Sequence, residues 1–469
     1  MRIGLRISIF GLGYVGLCTA VCFAHKGFRV IGVDIDPKRV KMIQHKKTPI
    51  HEFGLEDLLE KSIDSQKLSC TQDCGEAIKN SDISIIAVGT PIQRDGSYDL
   101  GYLRSAAIDI GKSLRTKKAR HLVVIKSTVL PGTTENTVKP LIEENAEKKC
   151  GSKFGICYNP EFLREGSAVE DIFNSDRIVI GEMESRSGDI LEELYRRFYG
   201  TELPPIIRTK LATAELIKQA NNAFLATKVS FINTMANLCQ AIPETDVTIV
   251  AKAIGLDRRI NPLFLEAGLG YGGSCLPKDV RALTFFSERL GIKPILLGAV
   301  QDVNRLQPYK IIELAQKLLD DLEGKRIGIL GLAFKPNTDD VRDSVQIEVV
   351  RGFLDKKAHV AVYDPMAAGN AKQVLGNRVE YMPSALECID GADCCVIATA
   401  WPEFKALGWK DFANHMRTPI VIDGRRIYNA EEFGQRLKFA AIGLGNIASR
   451  RDSHKKSLRR PNPEGNRAR

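Results

Sequence analysis

Apolar and polar positions alternate in blocks along the N-terminal stretch. RISIF is a short β-rich run, GLG interrupts it, YVGLCTAVCFAH is apolar without proline, and FRVIGVD returns to β-branched residues. That order predicts strand, glycine turn, helix and strand. Further strands are expected at SDISIIAVGTP, HLVVIKSTVLPG and FGICYNPEFLREG, each ending in small or polar residues. From about residue 210 the period changes. TAELIKQANNAFLATKVSFINTMANLCQAI carries apolar residues at helical spacing with no proline, and one long helix is expected. The opening pattern then returns: KRIGILGLAFKPNTDD, AHVAVYDP and GADCCVIATAWPEF repeat the order of RISIFGLGYVGL, FRVIGVDIDP and NSDISIIAVGTP. The fold class is therefore α/β, with two doubly wound Rossmann-like halves joined by a central helical region with a long helix. The boundaries expected are 1–204, 205–318 and 319–448, with 449–469 a basic tail read as disordered.

A chain of 469 residues exceeds what one core organises, which agrees with this division. No apolar run approaches the roughly 18 residues of a membrane span, and the first residues pass into a strand without a cleavable signal pattern. A cytoplasmic protein without membrane insertion is expected. The net charge of +10 suggests nucleic acid until it is located. The last twenty residues hold eight Lys/Arg against Asp452 and Glu464, so only +4 remains for everything before them. No nucleic-acid partner is expected. Eleven irregularly spaced cysteines suit reduced thiols better than a disulfide scaffold, and Cys70 and Cys74 lack histidines at zinc-ligand spacing, so no metal is expected.

The first turn holds Gly11, Gly13 and Gly16, and Asp34 ends the second strand. In that setting the glycines serve the tight turn, the approach of backbone to a pyrophosphate and the packing of helix on strand. Asp34 suits the two hydroxyls of an adenosine ribose and disfavours a 2′-phosphate, which points to NAD, although Lys38 and Arg39 lie close by. The second copy has Lys335-Pro336 where the third glycine would stand, so a full dinucleotide is not expected there. Thr90, Thr128, Glu161 and Glu165 fall at carboxyl ends of predicted strands, where ligands sit in open α/β sheets. Lys218 and Asn222, four apart on the long helix, share a face.

GYGGSCLPKD, residues 270–279, sets Cys275 before an amphipathic helical run with Pro277 in its first turn. A helix N-terminus and Lys278 favour a thiolate. Gly270, Gly272 and Gly273 are expected to leave room for a substrate. A thiolate beside NAD has one specific use: it adds to an aldehyde, and the resulting thiohemiacetal can give up hydride and become a thioester.

FGLGYVGL, VGTP, KSTVLPGT, NPEFLREG, the Lys218 to Asn222 helix, GYGGSCLPKD and GLAFKPNTDDVRDS together resemble the UDP-glucose/GDP-mannose dehydrogenases, in order and up to about residue 440. The resemblance implies an NAD domain at the front, a central dimerisation region, a nucleotide-sugar domain at the back, and oxidation of a sugar C6 alcohol to a carboxylate in a homodimer or higher homo-oligomer. It implies Cys275 as nucleophile, Asp279 as its partner in water activation or site ordering, and Lys218 with Asn222 at the developing oxyanion. Thr128 and Glu161 would act through a water. For the cofactor it implies the three glycines, Tyr14, Val15, Asp34, Arg39, Thr90, Thr128, Glu165, Lys278 and Arg342. For the sugar nucleotide it implies Glu161, Phe162, Leu163, Glu165, Lys218, Asn222, Phe264, Leu265, Gly268, Gly272, Lys335 and Arg425 or Arg426, of which Arg426 is taken, and Arg259 reaching the neighbouring subunit's substrate. NPLFLEAGLGYGGS, ATAWPEF and VIDGRRIYN rank UDP-glucose first and GDP-mannose second. N-acetylated UDP-sugars rank lower, because their enzymes usually carry Gly-His-Cys. Tyr271 departs from the usual phenylalanine and adds a hydroxyl near the sugar pocket. A non-catalytic nucleotide-sugar or nucleic-acid binder is the reading of a different class.

Overall fold

The computed structural model describes residues 5–445; the basic tail expected at 449–469 lies outside them. The described residues form two compact units, one built from residues 5–224, 274–298 and 337–339, the other from 225–273, 299–336 and 340–445.

The first unit is organised on an eight-stranded sheet. Its strands are β1 (Arg6–Phe10), β2 (Arg29–Val33), β3 (Leu68–Thr71), β4 (Ile83–Ile86), β5 (His121–Ile125), β6 (Phe154–Tyr158), β7 (Ile178–Glu182) and β8 (Ile206–Lys210). They lie in the order β3-β2-β1-β4-β5-β6-β7-β8, parallel except where β7 turns against β6. ISII of β4 and HLVVI of β5 are buried at every position, since a parallel sheet covered by helices on both faces reads as an unbroken apolar run.

The second unit contains a six-stranded sheet of β9 (Arg326–Leu330), β10 (His359–Tyr363), β11 (Glu380–Tyr381), β12 (Cys394–Ile397), β13 (Ile420–Asp423) and β14 (Lys438–Ala441). Its order, β11-β10-β9-β12-β13-β14, repeats that of the first six strands, so the recurrence in sequence is a recurrence in topology. The turns match atom for atom at their start. Gly11 N–H donates to Val33 O and Gly331 N–H to Tyr363 O, both at 2.8 Å, while Leu12 N–H and Leu332 N–H donate to Asp34 and Asp364 Oδ2, both at 2.7 Å. They part from the second glycine on, where Ala333 stands in the place of Gly13. A Cβ on Gly16 would stand 1.8 Å from Gly11 O, so helix Tyr14–His25 begins there only because that position is bare. Pro336 occupies the corresponding place in the second copy, and the next helix starts at Val345.

The long helix runs over 31 residues, Leu211–Ala241, and brings Glu215, Lys218, Gln219 and Asn222 onto one buried face.

Candidate active site

The fingerprint turn opens onto a cavity of about 460 Å³ lined by Gly11, Gly13, Asp34, Arg39, Tyr102 and Asp109, among others. A Cβ on Gly13 would meet nothing within 4 Å, so the backbone is bare where a pyrophosphate would approach. The residues present therefore fit the adenosine half of a dinucleotide. Asp34 is already occupied in part: its carboxylate accepts from Leu12 N–H, Asp36 N–H at 2.9 Å and Arg39 Nη1 at 3.1 Å. About one of its four acceptor sites stays open, and holding both ribose hydroxyls requires Arg39 to swing aside. Tyr14 Oη accepts from Gly166 N–H at 2.7 Å, linking this turn to the segment that carries Glu165.

All eleven cysteines are free, and Cys275 is the exposed one. Cys18, Cys22, Cys394 and Cys395 are buried, and burial pushes the Cys18 thiol up to about 12, which makes it inert. Cys275 caps helix Leu276–Arg289, whose first turn holds Pro277 and Asp279. The thiolate expected there is opposed by its setting. The residue reaches solvent, yet the sulfur sits deep enough in the protein mass that lost hydration raises its pKa above the ordinary thiol value. Glu161 and Asp279 add to the rise; Lys218 and Lys278 work against it. The glycines before it are closely packed. A Cβ on Gly270 would lie 2.6 Å from Asn304 Oδ1, on Gly272 2.5 Å from Asp343 O, and on Gly273 2.7 Å from the Phe334 ring. Each is bare because its own unit packs closely against it.

Asp279 is the hub of the site. Oδ1 accepts from Tyr98 Oη at 2.6 Å and from Lys278 Nζ at 2.5 Å, and Oδ2 accepts from Asn222 Nδ2 at 2.6 Å. A carboxylate so engaged orders its neighbours, which favours the ordering role over water activation. Lys218 Nζ donates to Glu161 O at 2.7 Å and Oε1 at 3.0 Å, while Glu161 Oε2 accepts from Leu163 N–H at 2.5 Å. Burial alone would lower the Lys218 pKa, but Glu161, Cys275 and Asp279 outweigh it and hold the ammonium above its ordinary value. Glu165 Oε1 accepts from Ser274 Oγ at 2.8 Å, and that hydroxyl lies 3.5 Å from Cys275 Sγ. Thr90 Oγ1 donates to Thr128 O at 2.8 Å, fixing the end of β5 against that of β4.

Several residues that sequence reasoning passed over support this cluster. Tyr98 touches Asp279, its ring lies 4.8 Å under Lys278 Nζ, and Gln219 Nε2 donates to Tyr98 Oη at 3.1 Å and Val129 O at 2.9 Å. Glu215 accepts from Gly132 N–H at 2.6 Å and Thr134 N–H at 2.8 Å, which fixes the loop after Thr128. The available signal was helical spacing: Glu215 and Gln219 extend the Lys218–Asn222 face.

The residues implied for the sugar nucleotide in the second unit divide by what they already hold. Arg426 is bound to Asp246 Oδ2 at 2.8 Å and Ile442 O at 3.1 Å. Its neighbour Arg425 donates from Nε to Ala398 O at 2.7 Å, but its buried Nη2 has no acceptor, and burial lowers its pKa to about 10. A buried guanidinium donor without a partner is therefore left on Arg425, whereas Arg426 is paired. Gly268 adjoins it, since a Cβ there would meet Arg425 Nη1 at 3.0 Å. Leu265 is buried, and Phe264 holds a positive φ of 64°. Lys335 Nζ lies 5.8 Å over the Phe334 ring, and Arg342 pairs with Asp340 at 2.6 Å. Arg259 is 89% exposed and held by Asp257 at 2.6 Å. Among the described residues no cluster of His, Cys, Asp and Glu is arranged for a metal, and no helix is long and apolar enough to cross a membrane.

Two Rossmann-type sheets, a glycine turn open to a dinucleotide and a solvent-reached thiol define the class of NAD-dependent oxidoreductases. Models of the UDP-glucose/GDP-mannose dehydrogenase family match the chain with the NAD binding domain at residues 5–199, the central domain at 212–306 and the UDP binding domain at 328–430. The chain is 43% identical over 429 residues to UDP-glucose 6-dehydrogenase AglM of Haloferax volcanii, covering 91% of this chain and 98% of that protein. It is 41% identical over 427 residues to UDP-glucose 6-dehydrogenase TuaD of Bacillus subtilis, covering 91% and 90%. The solved UDP-glucose dehydrogenase of Pyrobaculum islandicum aligns with a TM-score of 0.87 at 41% identity, covering 94% and 98%. The chain belongs to the UDP-glucose/GDP-mannose dehydrogenase family.

Proposed function

We propose that the protein oxidises UDP-glucose to UDP-glucuronate with two NAD in succession, through a covalent adduct on Cys275. The observation that carries this reading is the exposed thiol set among Lys218, Asp279 and Glu161 in the unit that also bears the dinucleotide turn. NAD held at Gly11, Gly13 and Asp34 supplies the hydride acceptor. Lys218 stabilises the alkoxide as the C6 hydroxyl loses its proton to a water between Thr128 and Glu161. The Cys275 thiolate adds to the aldehyde carbon, Lys218 and Asn222 hold the oxyanion, and a second hydride loss leaves the thioester. Water then adds to that carbonyl with its proton passing to Glu161, the C–S bond breaks, and the thiolate returns. In the second unit Arg425, Gly268, Leu265 and Lys335 are the groups for the UDP moiety. Phe224, Phe231 and Leu238 recur at seven-residue intervals along one face of the long helix and are 64%, 49% and 52% exposed, which supports a homodimer.

NADH counted per sugar nucleotide tests the reaction. Two NADH from UDP-glucose and none from GDP-mannose are expected, and the reverse preference would move the chain to the other branch of the family. The cofactor turn is tested by a pair of variants. Gly13→Ala places its methyl in open space, so thermal stability is expected to hold while NAD affinity, read by calorimetry, falls at least about tenfold. Gly16→Ala overpacks the turn and is expected to cost about 1–3 kcal/mol of stability as well.

A further inference from the structure

Lys126 and Asn159 leave the ends of β5 and β6 side by side, because the parallel register pairs Ile125 with Tyr158. Lys126 is only 7% exposed and forms no salt bridge among the described residues; its Nζ donates to Asn159 Oδ1 at 3.0 Å. Asn159 is fixed in turn, donating from Nδ2 to Val179 O at 2.8 Å and accepting from Tyr195 Oη at 2.5 Å. Beside this chain lies a cavity of about 50 Å³, enough for about one or two water molecules. Its inner wall includes Lys126, Asn159, Glu161 and Tyr195, and its outer wall the half-exposed Ser175 and Arg177. A buried amine with no anion bound to it, lining a cavity with room for water and sharing its wall with Glu161, is costly in its charged form and calls for an explanation.

We propose that Lys126 is a positioning residue for hydrolysis of the Cys275 thioester, taking the proton from Glu161 through water in this cavity. The proposal rests on the covalent reading above. When water attacks the thioester carbon, a C–O bond forms, the C–S bond breaks with its electron pair on sulfur, and the water proton passes to Glu161. Glu161 hands it to cavity water, water to the neutral Lys126 amine, and the resulting ammonium releases it through cavity water to bulk solvent past the half-exposed Ser175 and Arg177. Burial pushes Lys126 down to about 8, against the pull of Glu161 and with help from Lys218, so a neutral fraction exists near neutral pH. The other charged or titratable groups on the cavity are Asp171 and Arg177 at its outer side and the phenols of Tyr195 and Tyr199.

Lys126→Met and Lys126→Arg are to be compared with the parent by acid-quenched turnover and intact mass. Both are expected to accumulate a UDP-glucuronyl adduct, with kcat lowered about tenfold and KM for UDP-glucose within about twofold, since arginine keeps the charge but cannot give up a proton. If Lys126→Met does not fold, Lys126→Arg decides alone. Parent-like kcat without adduct in Lys126→Arg overturns the relay. Absence of any adduct in Cys275-intact parent and variants, together with a single NADH per sugar, overturns the covalent reading instead.

Discussion

Replacing Cys275 with serine is expected to abolish UDP-glucuronate formation, by roughly a thousandfold or more, while UDP-glucose still binds within about twofold of the parent. The reason lies in the second oxidation. An aldehyde has no hydride to surrender until a nucleophile has added to it, and the serine hydroxyl, lacking a base dedicated to it, adds poorly. Binding is expected to be spared because the groups proposed for UDP, Arg425, Gly268, Leu265 and Lys335, are distinct from the thiol and belong to the second unit. Calorimetry with UDP-glucose and chromatographic assay of the acid measure the two halves separately. Acid produced at the parent rate by Cys275→Ser would sink the covalent route.

Lys218→Gln is expected to lower kcat by about 10²–10³, the range for loss of one preorganised donor at a developing oxyanion. Glutamine keeps a hydrogen bond toward Glu161, which limits the damage from leaving that buried carboxylate unpaired. The same variant has a signature in the thiol. Lys218 holds the Cys275 pKa down against burial, Glu161 and Asp279. Removing its charge raises that pKa further, so the rise of alkylation rate with pH moves to higher pH and the rate at fixed neutral pH falls. Iodoacetamide labelling of Cys275 across pH reads this directly, and an unchanged profile would show that Lys218 does not govern the thiolate.

What reasoning on the sequence missed at this site are groups whose contacts span distant stretches. Tyr98 meets Asp279 across 181 residues and Gln219 meets Val129 across 90, distances at which no local pattern carries information. No local pattern in KSTV singles out Lys126; only the pairing of β5 with β6 shows that it is buried beside Asn159. Which of Arg425 and Arg426 is already paired was equally beyond the sequence. Adjacent arginines after a strand point in different directions, and Asp246, which claims Arg426, is 180 residues away.

The sequence by itself determined the two Rossmann-type halves, the long helix, the dinucleotide turn and the singular position of Cys275. Each of these rests on local causes: apolar periodicity, glycines where a side chain cannot fit, and proline at a helix start. Only the tertiary structure decided the charge balance around the thiol, what packs against Gly270, Gly272 and Gly273, and which of the arginines Arg425 and Arg426 is paired. Those depend on through-space distances between segments the chain brings together from afar, and electrostatics and packing act through space, indifferent to sequence separation.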